Sequence, residues 1–71
     1  MNSNTTNRRK AVLAGHSGDY KLANSLLNDE NEKVRGAALS ALEKMGKLSG
    51  KILEKFIQDP SPEVRKRTIE L

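Results

Sequence analysis

The sequence predicts an all-α chain, a short solenoid in which helix pairs repeat, and three observations lead there. First, sliding the chain against itself by 30 residues aligns residues 19–41 with 49–71. Lys21 then falls on Lys51, Asp29 on Asp59, Val34 on Val64 and Arg35 on Arg65. Second, the apolar positions agree: Leu22 with Ile52, Ala23 with Leu53, Leu26 with Phe56, Leu27 with Ile57, Leu39 with Ile69. Third, residues suited to start helices coincide, Asp19 with Ser49 and Asn31 with Ser61, because each can accept from free N–H groups of a first turn. A repeat of roughly 20–50 residues in which each unit is one supersecondary element points to a stacked array.

The elements follow in order. Residues 1–5 are polar and read as a disordered tail. Residues 6–18 make a partial repeat, a helix from about Thr6 to Ala14 stopped by Gly15 or Gly18. Residues 19–48 form the first full unit, with helices expected at Asp19 to Asn28 and Asn31 to Met45. In the second of these, Val34, Ala37, Ala38, Ala41, Leu42 and Met45 share one helical face. Leu39 lies well round from that stripe, which a helix packed on its partner and on a neighbouring unit would explain. Gly46 then supplies a residue free to turn left-handed and stop the helix. Residues 49–71 repeat the pattern, Ser49 to Gln58 and Ser61 to Leu71, with Pro62 where its missing N–H costs nothing. The counterpart of Ala41 is Leu71, so this second repeat is expected to be truncated, in a longer array that is cut or naturally short.

The segments LLNDENEKVRGAALSALEKMG and FIQDPSPEVRKRTIEL resemble HEAT repeats, whose pattern runs L-L-x-D-x-x-x-x-V-R-x-x-A-x-x-A-L. The opening RRKAVLAGHSGD is similar to the start of certain short bacterial HEAT-repeat proteins. The resemblance covers residues 19–71 and implies an armadillo-like, right-handed α-solenoid of about five helices. It also implies a scaffold for protein contacts, although some relatives bind nucleic acid and one branch helps attach bilin pigments. Asp29 and Asp59 would precede the second helix of each unit and accept from its first N–H groups. Arg35 and Arg65 would lie on the inner side, each able to pair with an Asp of the adjacent unit through a planar, two-pronged guanidinium. Arg67 and Thr68 depart from the pattern, standing where small Ala residues are expected, and put the packing of the second unit in question.

Composition excludes several classes. The chain has 71 residues, 35% hydrophobic, with Tyr20 and Phe56 as its aromatics and no Cys. Disulfides and thiolate metal sites are therefore out. No apolar run approaches the ~20 residues of a membrane span, and MNSNTTNRRK lacks the apolar middle of a signal peptide, so a cytoplasmic location is expected. The one histidine, His16, has Ser17 and Asp19 beside it, which is too few groups for a metal centre or a catalytic set. Asp29-Glu30-Asn31-Glu32 begins like a calcium loop, but Lys33 replaces an oxygen ligand and Val34 the turn glycine. No nucleotide-binding glycine motif occurs. The expectation is a chain with no catalytic, cofactor or metal residue, and so no enzyme.

Charge leaves two readings of function. Thirteen basic residues face nine acidic ones, a net charge of +4, with the excess at the two ends of the chain. Lys47, Lys51 and Lys55 fall at i, i+4 and i+8 and read as a stripe on the second unit's first helix, with Lys66 and Arg67 nearby. Such a stripe suits a phosphate backbone or an acidic partner. The near absence of aromatics argues against stacking on bases. The favoured reading is a scaffold for an unidentified protein partner, with nucleic acid second and bilin-lyase-like activity a distant third. Self-association through an uncapped C-terminal end at Ile69–Leu71 is also expected, since solenoid units bury their faces on neighbours.

Overall fold

The computed structural model describes the backbone from residue 3 to residue 71 and the side chains from Thr5 onward. Five helices follow one another: α1 Ser3–Ser17, α2 Tyr20–Leu26, α3 Glu32–Lys44, α4 Gly50–Phe56 and α5 Pro62–Glu70. No strand occurs among the described residues, and no helix is long and apolar enough to cross a membrane.

Four of the five starts are set by a capping side chain. The carboxylate of Asp19 accepts from Leu22 N, Asn31 Oδ1 from Lys33 and Val34 N, Ser49 Oγ from Ile52 N, and Ser61 Oγ from Val64 N. Each satisfies a donor that the first turn leaves without an intrahelical partner. Pro62 stands at the first position of α5. Gly46, at φ +69°, turns the chain out of α3.

Helix α1 differs from expectation at both ends. It begins at Ser3, inside the expected tail, and runs to Ser17; residues 1 and 2 lie outside the described residues. Its stop is Gly18, at φ +75°, and Gly15 remains helical. The reason is tertiary. A Cβ on Gly15 would stand 3.1 Å from Ala41 Cα, so Gly15 is where α1 and α3 press together. At the other end Asn7 Nδ2 donates to Asp29 Oδ2 at 2.9 Å, which pins the early turns of α1 to the turn preceding α3.

Helix α1 packs on α2 and α3, α2 on α3, α3 on α5, and α4 on α5. Asn7 meets Asp29 near the start of α3, while Gly15 and His16 meet Ala41 and Lys44 near its end. Helices α1 and α3 therefore run in the same direction, with α2 returning between them. The core gathers Ala11, Ala14, Ala23, Leu26, Val34, Ala38, Leu39, Leu42, Phe56 and Val64. Helix α3 is its axle: Val34, Ala38, Leu39 and Leu42 are all fully buried. The width of that arc, Leu39 included, follows from α3 having α1 and α2 on one side and α5 on the other.

Equivalent positions of the two units are buried unequally. Leu39 is 0% exposed and its counterpart Ile69 is 73% exposed; Leu27 is buried and Ile57 is half exposed. Full burial of a leucine is worth about 1.5–3 kcal/mol, and truncation adds the cost of the cavity left behind. Leu39→Ala should therefore cost about 2–5 kcal/mol, and Ile69→Ala no more than about 0.5 kcal/mol. Urea titration followed by circular dichroism measures both, and comparable losses would contradict this packing.

Candidate functional site

Two features of the surface are built rather than incidental: a ladder of polar side chains along the starts of the helices, and a groove along their flanks. The ladder is local chemistry repeated. Asp29 Oδ1 accepts from Asn31 N, and Asp59 Oδ1 from Ser61 N, both at 2.9 Å. Each aspartate thus closes the turn before a helix. Arg35 reaches from α3 to the next turn and grips Asp59 with two parallel bonds, Nε to Oδ2 and Nη2 to Oδ1, both 2.9 Å. Its Nη1 donates to the carbonyls of Asp29 and Glu30. Arg65 repeats that second gesture, donating from Nη1 to the carbonyls of Asp59 and Pro60.

The Arg35 and Asp59 side chains are 14% and 5% exposed. Burial by itself pushes the Asp59 carboxyl up. The bond from Arg35, the Ser61 N–H and the charges of Arg35 and Arg65 outweigh it and hold the group below the ordinary aspartate value. Asp29 receives Asn7 where Asp59 receives Arg35, so the first rung is neutral–charged and the second fully ionic. These four residues bind one another and the backbone.

The groove runs beside α3, between α1 and α5, and encloses about 530 Å³. Its floor is made of small residues, Gly15, Gly36, Ala37, Ser40 and Ala41. Arg67 from α5 lies across this floor. A Cβ on Gly36 would stand 3.1 Å from Arg67 Nε, and Arg67 Nη1 donates to Ser40 Oγ at 2.7 Å. This resolves the question raised by Arg67 and Thr68. The large side chain at 67 is received by a glycine opposite, and the buried hydroxyl of Thr68 donates to the Val64 carbonyl at 2.8 Å.

The expected basic stripe does not assemble. Lys47 lies in the connection between α3 and α4, since α4 starts only at Gly50. Lys51 is exposed, and Lys55 reaches Asn28 Oδ1 at 3.4 Å with its ammonium 5.3 Å from the Phe56 ring centre. Lys66 is exposed, and of the five residues only Arg67 lines the groove. Lys47 precedes the cap at Ser49 and so stays outside α4, while Lys51 and Lys55 stand one turn apart on it, and α5 turns residue 67 toward α3. The basic groups that do share the groove with Arg67 are Arg8, Lys33 and Lys44. Helical spacing offered a signal for Lys44, because Gly36, Ser40 and Lys44 fall at i, i+4 and i+8 and share a face.

His16 also lines the groove, with Lys44 Nζ 3.2 Å from its Nδ1. No group of three or more His, Cys, Asp or Glu that could hold a metal ion occurs among the described residues.

In comparison with known proteins, residues 21–49 match the family model described as HEAT repeat. These residues span α2, α3 and the turn joining them, together with the connection to α4. No curated protein and no solved structure matches the chain.

Removing Arg35 strands a nearly buried carboxylate, so Arg35→Ala should cost about 1–3 kcal/mol in a denaturant titration. Arg67→Ala removes one bond at the surface and should cost less than about 1 kcal/mol. Equal losses would show that the ladder is not a support. The depressed Asp59 carboxyl also gives an acid signature. Below the unfolded value of about 3.9 the unfolded chain takes up a proton that the folded chain resists. The contribution is complete above that value and is lost as pH falls through the lower folded value. Acid titration of the native chain should show this loss, and Asp59→Asn should flatten it.

Proposed function

Taking the chain as a member of the HEAT-repeat family through residues 21–49, we propose that it is a non-enzymatic, cytoplasmic scaffold module that binds a protein partner in the groove beside α3. HEAT repeats generally mediate protein interaction. The observation that carries the reading is the groove itself. Its walls come from three successive odd-numbered helices, α1, α3 and α5, and its floor is small enough for another chain to approach closely. A short right-handed α-solenoid accounts for that arrangement, with α1, α3 and α5 as the inner layer and the Asn7–Asp29 and Arg35–Asp59 rungs as its inter-unit ties. The exposed Ile57, Ile69 and Leu71 on the last unit supply the face on which a further unit or a second copy would stack.

Nucleic-acid binding is the second reading, since Lys47, Lys51, Lys55 and Lys66 lie outside the groove. The two readings part by salt. Phosphate binding weakens steeply with salt, whereas a protein partner docked on a few groove side chains resists moderate salt. Pull-down with the chain as bait should recover a protein at ~150 mM salt that the Arg67→Glu bait does not. A gel shift with duplex DNA under the same salt should give no complex. A salt-sensitive DNA shift abolished by Lys51→Glu with Lys55→Glu, and no recovered protein, would reverse the assignment.

A further inference from the structure

We infer that the segment received by this groove is an acidic peptide carrying aliphatic residues, held where Arg67, bonded to Ser40, and Lys44, beside His16, line the groove. The inference rests on the scaffold reading and deepens it by giving the partner's chemistry. Charge is the first argument. The groove is lined by Arg8, Lys33, Lys44 and Arg67 against Glu32 and Glu63, an excess of two positive charges.

The excess lies toward one end. Glu32 and Glu63, in the first turns of α3 and α5, are matched by Lys33 in that same turn of α3 and by Arg8 in the early part of α1. Lys44 and Arg67, in the last turns of α3 and α5, have no acidic residue of the groove beside them in those turns. Lys44 is favourably placed at the negative end of the α3 dipole, and a carboxylate brought there meets its ammonium and the guanidinium of Arg67.

The second argument is preparation. Arg67 is exposed but tethered: Gly36 gives it room and Ser40 Oγ accepts from its Nη1 at 2.7 Å. Lys44 is likewise steadied by His16. A guanidinium already held in place loses less freedom when it takes a carboxylate on its other edge.

The third is the floor. Ala37 is partly exposed and Val12, 53% exposed, forms an apolar edge on α1, while Gly15, Gly36 and Ala41 lie buried beneath their neighbours and add no protruding side chain. A peptide can lay an aliphatic side chain there while its carboxylates reach the basic end. A phosphodiester backbone carries a charge on every nucleotide, whereas a peptide can place its carboxylates at the basic end and leave uncharged residues beside Glu32 and Glu63.

The test uses the isotope-labelled full chain followed by amide NMR at ~150 mM salt, where weak surface attraction is screened. Three short peptides are titrated: alternating glutamate and leucine, the same with glutamine for glutamate, and the same with lysine for glutamate; a DNA duplex is the fourth probe. The acidic peptide should move the amides of Gly15, Gly36, Ser40 and Lys44. Arg67→Glu and Lys44→Glu should each weaken it about tenfold, with helix content by circular dichroism unchanged.

Equal binding of the glutamine peptide at the same amides would overturn the acidic partner while leaving the groove as a protein-docking surface. Groove shifts by the lysine peptide alone would do the same. Shifts produced by the duplex, with none from any peptide, would remove both the inference and the scaffold reading beneath it.

Discussion

The pairing of Arg35 with Asp59 is the constraint on which the arrangement of the helices depends. Asp59 is a junction: its carboxylate receives both prongs of Arg35 and the N–H of Ser61, and its carbonyl receives Arg65. Arg35 is another, since its third nitrogen holds the carbonyls of Asp29 and Glu30. Through Asn7 the same chain of bonds reaches α1. A continuous polar seam thus ties the starts of α1, α3 and α5, and fixes how far each is displaced along its neighbour. Each member is paired, so the seam satisfies groups that a buried turn would otherwise strand.

Small residues do the corresponding work along the flanks. Gly15 on Ala41 lets two helices approach closely, and Gly36 makes room for Arg67. Alanine is common in this core for the same reason: Ala11, Ala14, Ala23, Ala38 and Ala41 are buried. A helix layer packed on short side chains leaves a smooth, shallow outer surface. Of these alanines Ala41 also lines the groove, beside Gly15 and Gly36.

The burial of the second unit shows how a repeated sequence yields unequal surroundings. Leu39 and Ile69 occupy the same place in their units, as do Leu27 and Ile57, yet only the first of each pair is enclosed. Helix α3 is flanked by α1, α2 and α5, whereas α5 has α3 and α4 alone. Chemistry at a position decides that it can be buried, and the presence of a neighbour decides whether it is. The same holds for Arg65, which copies the backbone bonds of Arg35 but meets no carboxylate among the described residues.

The sequence by itself determined what is local. Asp19, Asn31, Ser49 and Ser61 announce the helix starts, Gly46 a stop, and the Asp-to-Arg spacing the turns, because caps and turns depend on residues within a few positions of one another. The apolar period likewise marks the buried face of α3. What only the tertiary structure decided is every feature that needs two helices at once. Gly15 reads locally as a breaker, but it lies within α1 and lets Ala41 of α3 approach closely. The lysines at 47, 51 and 55 read as a stripe, but the groove takes Arg67 from α5 and adds Arg8 from α1 and Lys33 and Lys44 from α3. The register between helices is set by side chains reaching across them, and a one-dimensional pattern carries no measure of that distance.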